Sequence, residues 1–335
     1  MVHVAGTKGK GSTCAFTASI LSQYRTTHGP VSKIGMFTSP PLRSARDRMR
    51  IDGSPISEAL FTKYFFEVWD KLVSSGKGIE DMPSQFRFVT LLAFYTFLCE
   101  KVDTAIFEVG LGGEYDCTNV VEAPTVVGIT NLELDHTQIL GETIEKIAWH
   151  KAGIIKRGRP AMTVDQPPTA LDVIRNRGLE RGIEVKVVPV HEEIASGAVK
   201  LGLPTKCMWR NASLAVALAT KHLKALGIDP GPTDRRVPGM FAKGLAEVVW
   251  PGRFQVIPNG RIEWFIDGAH TVASVAACGE WYASVADRYL NHLHSPSHTP
   301  PKLGLTWELN FTQKPFSHKT DIDLQSTIPG PQAAH

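Results

Sequence analysis

The sequence predicts an α/β fold: a parallel sheet with helices packed on it. Three observations lead there. From residue 1 to about 228, short apolar runs alternate with amphipathic stretches, the order expected when helices join successive strands. Several runs, 105–109 and 125–129 among them, are mostly apolar without alternation, as strands covered on both faces are. The first run, 1–5, passes directly into a glycine-rich loop and then a helical pattern.

The elements follow in order. After the loop, a helix carries Ala15, Phe16, Ala18, Ile20 and Leu21. Ser57 is placed to cap the next helix, in which Leu60, Phe61, Tyr64, Phe65, Val68, Trp69 and Leu72 recur along one face. Residues 86–98 form a helix apolar nearly all round, and therefore buried. Doubly covered strands are expected at 105–109, 125–129, 160–164 and 184–188, with helices between them. A helix over 211–226 ends at Gly227, and a Pro/Gly-bearing connector spans 229–239. A short segment then leads to Trp250-Pro251. A strand at 261–266, ending at Asp267, opens a second α/β unit that is barely begun. After Asp287 the chain is rich in Pro, His and Ser without periodicity, and no internal repeat is visible. The expected division is a main domain over 1–235, a linker with an incomplete C-terminal α/β domain over 236–285, and a disordered or aberrant tail over 286–335.

Bulk properties narrow the function classes. A chain of 335 residues, 43% hydrophobic and 21% charged, can bury a real core. A net charge of +3 is too small a bias to argue for a nucleic-acid or anionic-membrane partner, and no nucleic-acid partner is expected. The cysteines, Cys14, Cys99, Cys117, Cys207 and Cys278, show no C-x-x-C spacing, which fits free thiols in a reducing compartment. No apolar run approaches the roughly 18 residues of a membrane span, and no signal or transit peptide is evident at the start. An intracellular, monomeric protein is expected, in the cytoplasm, with the mitochondrial matrix left open.

The loop Gly6-Thr7-Lys8-Gly9-Lys10-Gly11-Ser12-Thr13 points to phosphate. Its glycines let backbone N–H groups converge on an anion, the helix N-terminus adds its positive end, and Lys10 supplies a point charge. The strict pattern G-x-x-x-x-G-K-[ST] is not met, because Val4 stands at its first glycine and Gly11 follows the lysine. The dinucleotide pattern G-x-G-x-x-G fails at Cys14. Mg²⁺ takes hard oxygen ligands, of which one or two are protein carboxylates. Glu108 closes an apolar strand just before Gly110-Leu111-Gly112-Gly113, where an unpaired carboxylate is costly. His136, Ser39 and Lys151 are weaker signals on their own: a structural histidine, a Ser-Pro turn and a helix-end lysine explain them equally well.

Together these segments resemble the folylpolyglutamate synthases, relatives of the Mur cell-wall ligases. The resemblance rests on residues 2–13, on Phe37-Thr38-Ser39-Pro40, on Glu108-Val109-Gly110-Leu111-Gly112-Gly113 through Asp116-Cys117-Thr118-Asn119, and on Leu134-Asp135-His136-Thr137. Pro251-Gly252-Arg253-Phe254-Gln255 and Asp267-Gly268-Ala269-His270-Thr271 complete it. The eukaryotic, fungal branch fits best, and the chain looks truncated at both ends relative to it. Pro41, where the family commonly has His, and Lys206-Cys207-Met208-Trp209-Arg210 depart from the pattern.

The resemblance implies a Mur-ligase-like central domain and an ATP-dependent ligase that adds L-glutamate to the γ-carboxylate of tetrahydrofolate polyglutamates through an acyl phosphate. It implies that Gly6, Thr7, Gly9, Lys10, Gly11, Ser12, Thr13, Asn211, Arg253 and Asp267 hold ATP, and that Ser39, Glu108 and His136 hold Mg²⁺. A monovalent cation such as K⁺ is left open. Lys10, Lys151 (the family's carbamylated lysine) and His270 carry the catalytic expectations. The alternatives are a nucleotide-binding remnant without ligase activity and a dihydrofolate synthase. A GTPase-type switch lacks its Asn-Lys-x-Asp guanine reader. The arginines after Ser39 (Arg43, Arg46, Arg48 and Arg50) fit a solvated loop or a site that attracts the glutamate tail of folate.

Overall fold

The computed structural model describes residues 1–76, 81–259, 262–269 and 272–292. In chain order they form β1 (Val2–Ala5), α1 (Lys10–Ser22), β2 (Ile34–Phe37), β3 (Met49–Ile51), β4 (Ser54–Pro55), α2 (Glu58–Ser74) and α3 (Gln85–Cys99). Next come β5 (Thr104–Glu108), β6 (Val126–Ile129), α4 (Thr137–Leu140), α5 (Ile144–Ala152), β7 (Ala161–Thr163), α6 (Pro168–Leu179) and β8 (Lys186–Val187). Last are α7 (Glu192–Ala195), α8 (Lys206–Ala225), α9 (Gly239–Glu247), β9 (Gln255–Asn259), β10 (Ile262–Ile266) and α10 (Val272–His292). Residues Met1–Ala286 form one compact unit; of a second, Asp287–His335, only the helical 287–292 are described.

The main sheet has the order β4-β3-β2-β5-β1-β6-β7-β8. Every pair from β2 to β8 is parallel, and β3 and β4 add an antiparallel edge. Strand alternation splits the core into two faces. Val2, Val4, Ile34, Met36, Ile106, Val126 and Met162 pack with α1, α8 and α9. On the other face, Phe37 and Phe107 meet α2 and α3, while Val127 and Ile129 meet α5 and α6. Helices on both faces explain why the central strands are mostly apolar and buried at nearly every position.

The predicted parallel α/β sheet is therefore present, with differences at its margins. β8 is short and only partly covered, because an edge strand has a neighbour on one side alone. β2, β3 and β4 escape sequence pattern because each has two to four residues, too few to show a period. Ser57 caps α2 as expected, accepting from Leu60 N at 3.2 Å. The strand expected at 261–266 appears as β10, antiparallel to β9, which the sequence reading left unassigned. Phe265 and Phe254 pack edge-on to Trp281 of α10 at 5.5 and 5.4 Å. Helix α10 runs through the expected boundary at 286. The rest of the expected tail, 293–335, lies outside the described residues. Among the described residues no helix is long and apolar enough to cross a membrane.

Candidate active site

The topology gathers the predicted residues at the carboxyl ends of adjacent strands. The glycine loop follows central β1, Glu108 ends β5 on one side of it, and residues 130–136 follow β6 on the other. Ser39 follows β2, the next strand beyond β5. Such an edge is where open α/β sheets bind ligands.

The loop is built for an anion. Gly9 stands at φ 88 as N-cap of α1, and a Cβ there would lie 2.3 Å from Asn211 Oδ1. Gly6, at φ 145, has Thr130 Oγ1 1.8 Å from where its Cβ would be. Only glycine fits either place. No side chain caps α1 and no acidic residue sits in its first turn, so its leading N–H groups and positive end stay available. The buried Thr13 hydroxyl has no hydrogen-bond partner among the described residues. The N–H groups of Thr7 and Lys8 are already used, both donating to Asn131 O at 2.9 and 3.2 Å. The Thr7 and Lys8 N–H groups are thus engaged within the loop, ahead of the turn at Gly9 that leads into α1.

Glu108 is 4% exposed. Its Oε2 accepts from Ser39 N at 2.9 Å, and its Oε1 stands 4.0 Å from Lys10 Nζ. Burial raises its pKa; the charges of Lys10, Arg253 and Arg48 and the Ser39 hydrogen bond oppose that rise. Three cations therefore surround one carboxylate, an excess of positive charge facing the loop.

His136 does not follow the same pattern. It begins the short α4 instead of ending a strand, has φ 52, and its side chain is 46% exposed with Nε2 3.9 Å from Asp135 Oδ1. Its loop is nevertheless tied to the phosphate loop. Thr7 Oγ1 donates to Glu133 O at 3.1 Å, and Lys8 Nζ lies 4.0 Å from Asp135 Oδ2. Lys10, Glu108 and Ser39 converge; His136 stands at the solvent edge beside them.

Lys151, on α5, is the buried lysine of the site. It is 4% exposed, and Nζ donates to Gly6 O at 2.8 Å. Burial first, then the charge of Lys10, lowers its pKa from 10.5 to about 7. Asn211, on α8, is buried against Gly9. Asp267 Oδ2 accepts from Phe254 N at 2.9 Å, and Arg253 Nη1 would lie 1.8 Å from a Cβ on Gly268. Arg253 and Asp267 are thus neighbours, and Arg253 acts electrostatically on Glu108. His270 lies outside the described residues. Trp250 was missed by sequence reasoning: its Nε1 lies 3.5 Å from where a Cβ on Gly11 would be, so it flanks the loop. Only its place before Pro251-Gly252-Arg253 could have signalled this.

No family model matches the chain. Among curated proteins, it is 46% identical over 287 residues to the folylpolyglutamate synthase of Neurospora crassa, covering 84% of this chain and 54% of that one. Solved structures agree. A point mutant of L. casei folylpolyglutamate synthase matches with a TM-score of 0.73 at 27% identity, over 91% of this chain and 82% of that one. A folylpolyglutamate synthase–AMPPCP–folate complex matches with a TM-score of 0.69 at 28% identity, over 87% and 77%.

The chain belongs to the folylpolyglutamate synthase family. It spans about half the length of the curated relatives it matches. The folylpolyglutamate synthase motifs read from the sequence are the same segments that surround the loop: Ser39 after β2, Glu108 at the end of β5, and the 134–137 segment after β6.

Proposed function

We propose that this chain is an ATP-dependent carboxylate–amine ligase adding L-glutamate to the γ-carboxylate of reduced folates that carry polyglutamate tails. The observation that carries the reading is the uncapped α1 N-terminus with Lys10 set against buried Glu108, in a chain of this family. The solved complex with AMPPCP and folate supports the two ligand classes. A carboxylate is a poor electrophile, so transfer of the γ-phosphoryl group of ATP onto it gives an acyl phosphate that an amine can attack, releasing phosphate. Lys10 and the leading N–H groups of α1 would hold the β- and γ-phosphates, with Gly9 forming the turn ahead of them. Asn211, Arg253 and Asp267 would border the rest of the nucleotide.

Mg²⁺ fits the donors present. Glu108 is a buried carboxylate with one hydrogen bond, the Thr13 hydroxyl has no partner among the described residues, and Ser39 adjoins Glu108. The described residues hold no group of three His, Cys, Asp or Glu side chains, as suits an ion that takes its other oxygens from phosphate and water. His136 would complete the set from the solvent side. When bound, the ion would neutralise charge on the transferring phosphoryl group. With its pKa lowered to about 7, Lys151 has a substantial neutral fraction at neutral pH, the form that adds to CO₂ to make a carbamate.

The test is ADP release by the purified chain with ATP, tetrahydrofolate and L-glutamate. Release should require both the folate and glutamate, with a product heavier by one glutamyl residue. Release indifferent to both, or AMPPCP binding with no glutamate addition, refutes the ligase and leaves a nucleotide-binding remnant.

A further inference from the structure

The four arginines after Ser39 separate once their surroundings are known. Arg43 is exposed. Arg46 donates from Nη1 to Ile56 O at 2.9 Å. Arg50 donates from Nη1 to Gly53 O at 3.0 Å and lies 5.3 Å over the ring of Trp250. Arg50 Nε is also buried without a partner among the described residues, but Arg48 differs in having no side-chain hydrogen bond to any of them. Its Nη1 is sealed from solvent and has no hydrogen-bond partner among the described residues. Its guanidinium lies 5.6 Å over the ring of Phe86, and no carboxylate among the described residues pairs directly with it.

Backbone pairing fixes where Arg48 stands. Thr38 N donates to Arg48 O at 2.9 Å, and the next residue, Ser39, donates its N–H to Glu108 Oε2. Arg48 is therefore tied through Thr38-Ser39 to the strand end that carries Glu108, whose Oε1 stands 4.0 Å from Lys10 Nζ and whose Oε2 would lie 3.4 Å from a Cβ on Gly11. Phe86, beneath its guanidinium, covers Gly110 so closely that a Cβ there would lie 2.2 Å from the ring. The wall next to Glu108 is thus an aromatic ring with a guanidinium on it. A buried guanidinium N–H without an acceptor is unfavourable unless a ligand brings one. Its planar fork matches a carboxylate, and the phosphates already have Lys10 and the helix end.

We propose that Arg48 binds the reacting carboxylate of the acceptor and holds it beside Glu108, at the edge where the phosphate loop lies. This rests on the ligase reading. Arg48 is then the anchor that discriminates an acid from its amide, so the completed amide product is released from this subsite.

The test measures binding of AMPPCP, folate and the γ-amide of folate (pteroylglutamine) to the full chain and to R48Q and R48K. The unmodified chain should prefer folate over the γ-amide by about tenfold or more, as a lost charge-assisted pair requires. R48Q should bind both within about twofold of each other while AMPPCP binding stays unchanged, which also shows that the variant folds. R48K, keeping charge without the fork, should retain part of the preference. If R48Q keeps the full preference, or loses AMPPCP binding instead, the assignment to the acceptor is wrong. If the unmodified chain binds AMPPCP but neither folate compound, the ligase reading itself fails and this proposal falls with it.

Discussion

Lys151 offers a test of the site that needs no turnover. Its amine is enclosed, donates to Gly6 O at 2.8 Å, and has a pKa lowered from 10.5 to about 7. Between those values the unfolded chain holds a proton on this lysine that the folded chain has released. Stability therefore rises with pH across that window by up to about 1.4 kcal/mol per pH unit. The contribution is present in full above pH 10.5, is lost as pH falls toward 7, and loses nothing more below. Integrated over the window, it amounts to roughly 5 kcal/mol. Lys151→Met keeps the buried stem and has no proton to lose. Urea unfolding of both proteins at pH 7, 8, 9 and 10, in CO₂-free buffer so that no carbamate forms, isolates the term. Other titrations cancel in the difference. Methionine should be the more stable variant at pH 7, and its advantage should shrink by about 1 kcal/mol or more per pH unit on going to 10. A difference that stays constant with pH would mean that Lys151 keeps its charge when folded, and the buried neutral amine would be wrong.

Gly9→Ala forces a side chain into a left-handed position 2.3 Å from Asn211 Oδ1. It should cost about 1–3 kcal/mol in urea unfolding and weaken AMPPCP binding about tenfold or more in calorimetry. Glu108→Gln removes a buried carboxylate whose pKa burial raises, so the fold should be no less stable. The same variant should lose the Mg²⁺-dependence of AMPPCP affinity; a variant still strengthened by Mg²⁺ as the parent is would clear Glu108 of metal binding. Ser57→Ala removes the α2 cap and should cost about 0.5–2 kcal/mol with nucleotide binding untouched, a control for general destabilisation.

How far the sequence revealed the site depended on whether a residue lay at a strand end. Glu108 was legible because a carboxylate closing an apolar run has to find partners, and it does so in Ser39 N and the nearby lysine. Lys10 was legible from the glycines around it. His136 was not, since its place is set by a loop between β6 and a four-residue helix, which leaves no period to read. Lys151 looked like a solvated helix-end lysine; only the path of Gly6 over α5 shows it to be buried. Helix α8 begins at Lys206, five residues before the predicted start, because Cys207, Met208 and Trp209 break the pattern without breaking the helix. β9 and Trp250 depend on long-range packing of residues 248–285, which local periodicity does not encode.

The strand order then explains why residues so distant in sequence can act together. With β1 central, β5 and β6 flank it, so their carboxyl ends bring Glu108 and the 130–136 loop to either side of the same turn. The antiparallel β2–β3 pairing folds the arginine segment back over that edge, placing Arg48 beside Ser39. Trp250, stacked with Arg50 and flanking Gly11, joins the segment leading to Arg253 to the same place. One buried carboxylate thus sits among Lys10, Arg48 and Arg253, whose positions come from three separate parts of the chain. Such an excess of cations is unfavourable in an empty site and favourable once polyanions fill it, so ligand binding and the closing of these segments around it should be coupled. A charge arrangement of this kind suits a reaction in which a triphosphate and a carboxylate, which repel each other in water, must be brought within bonding distance.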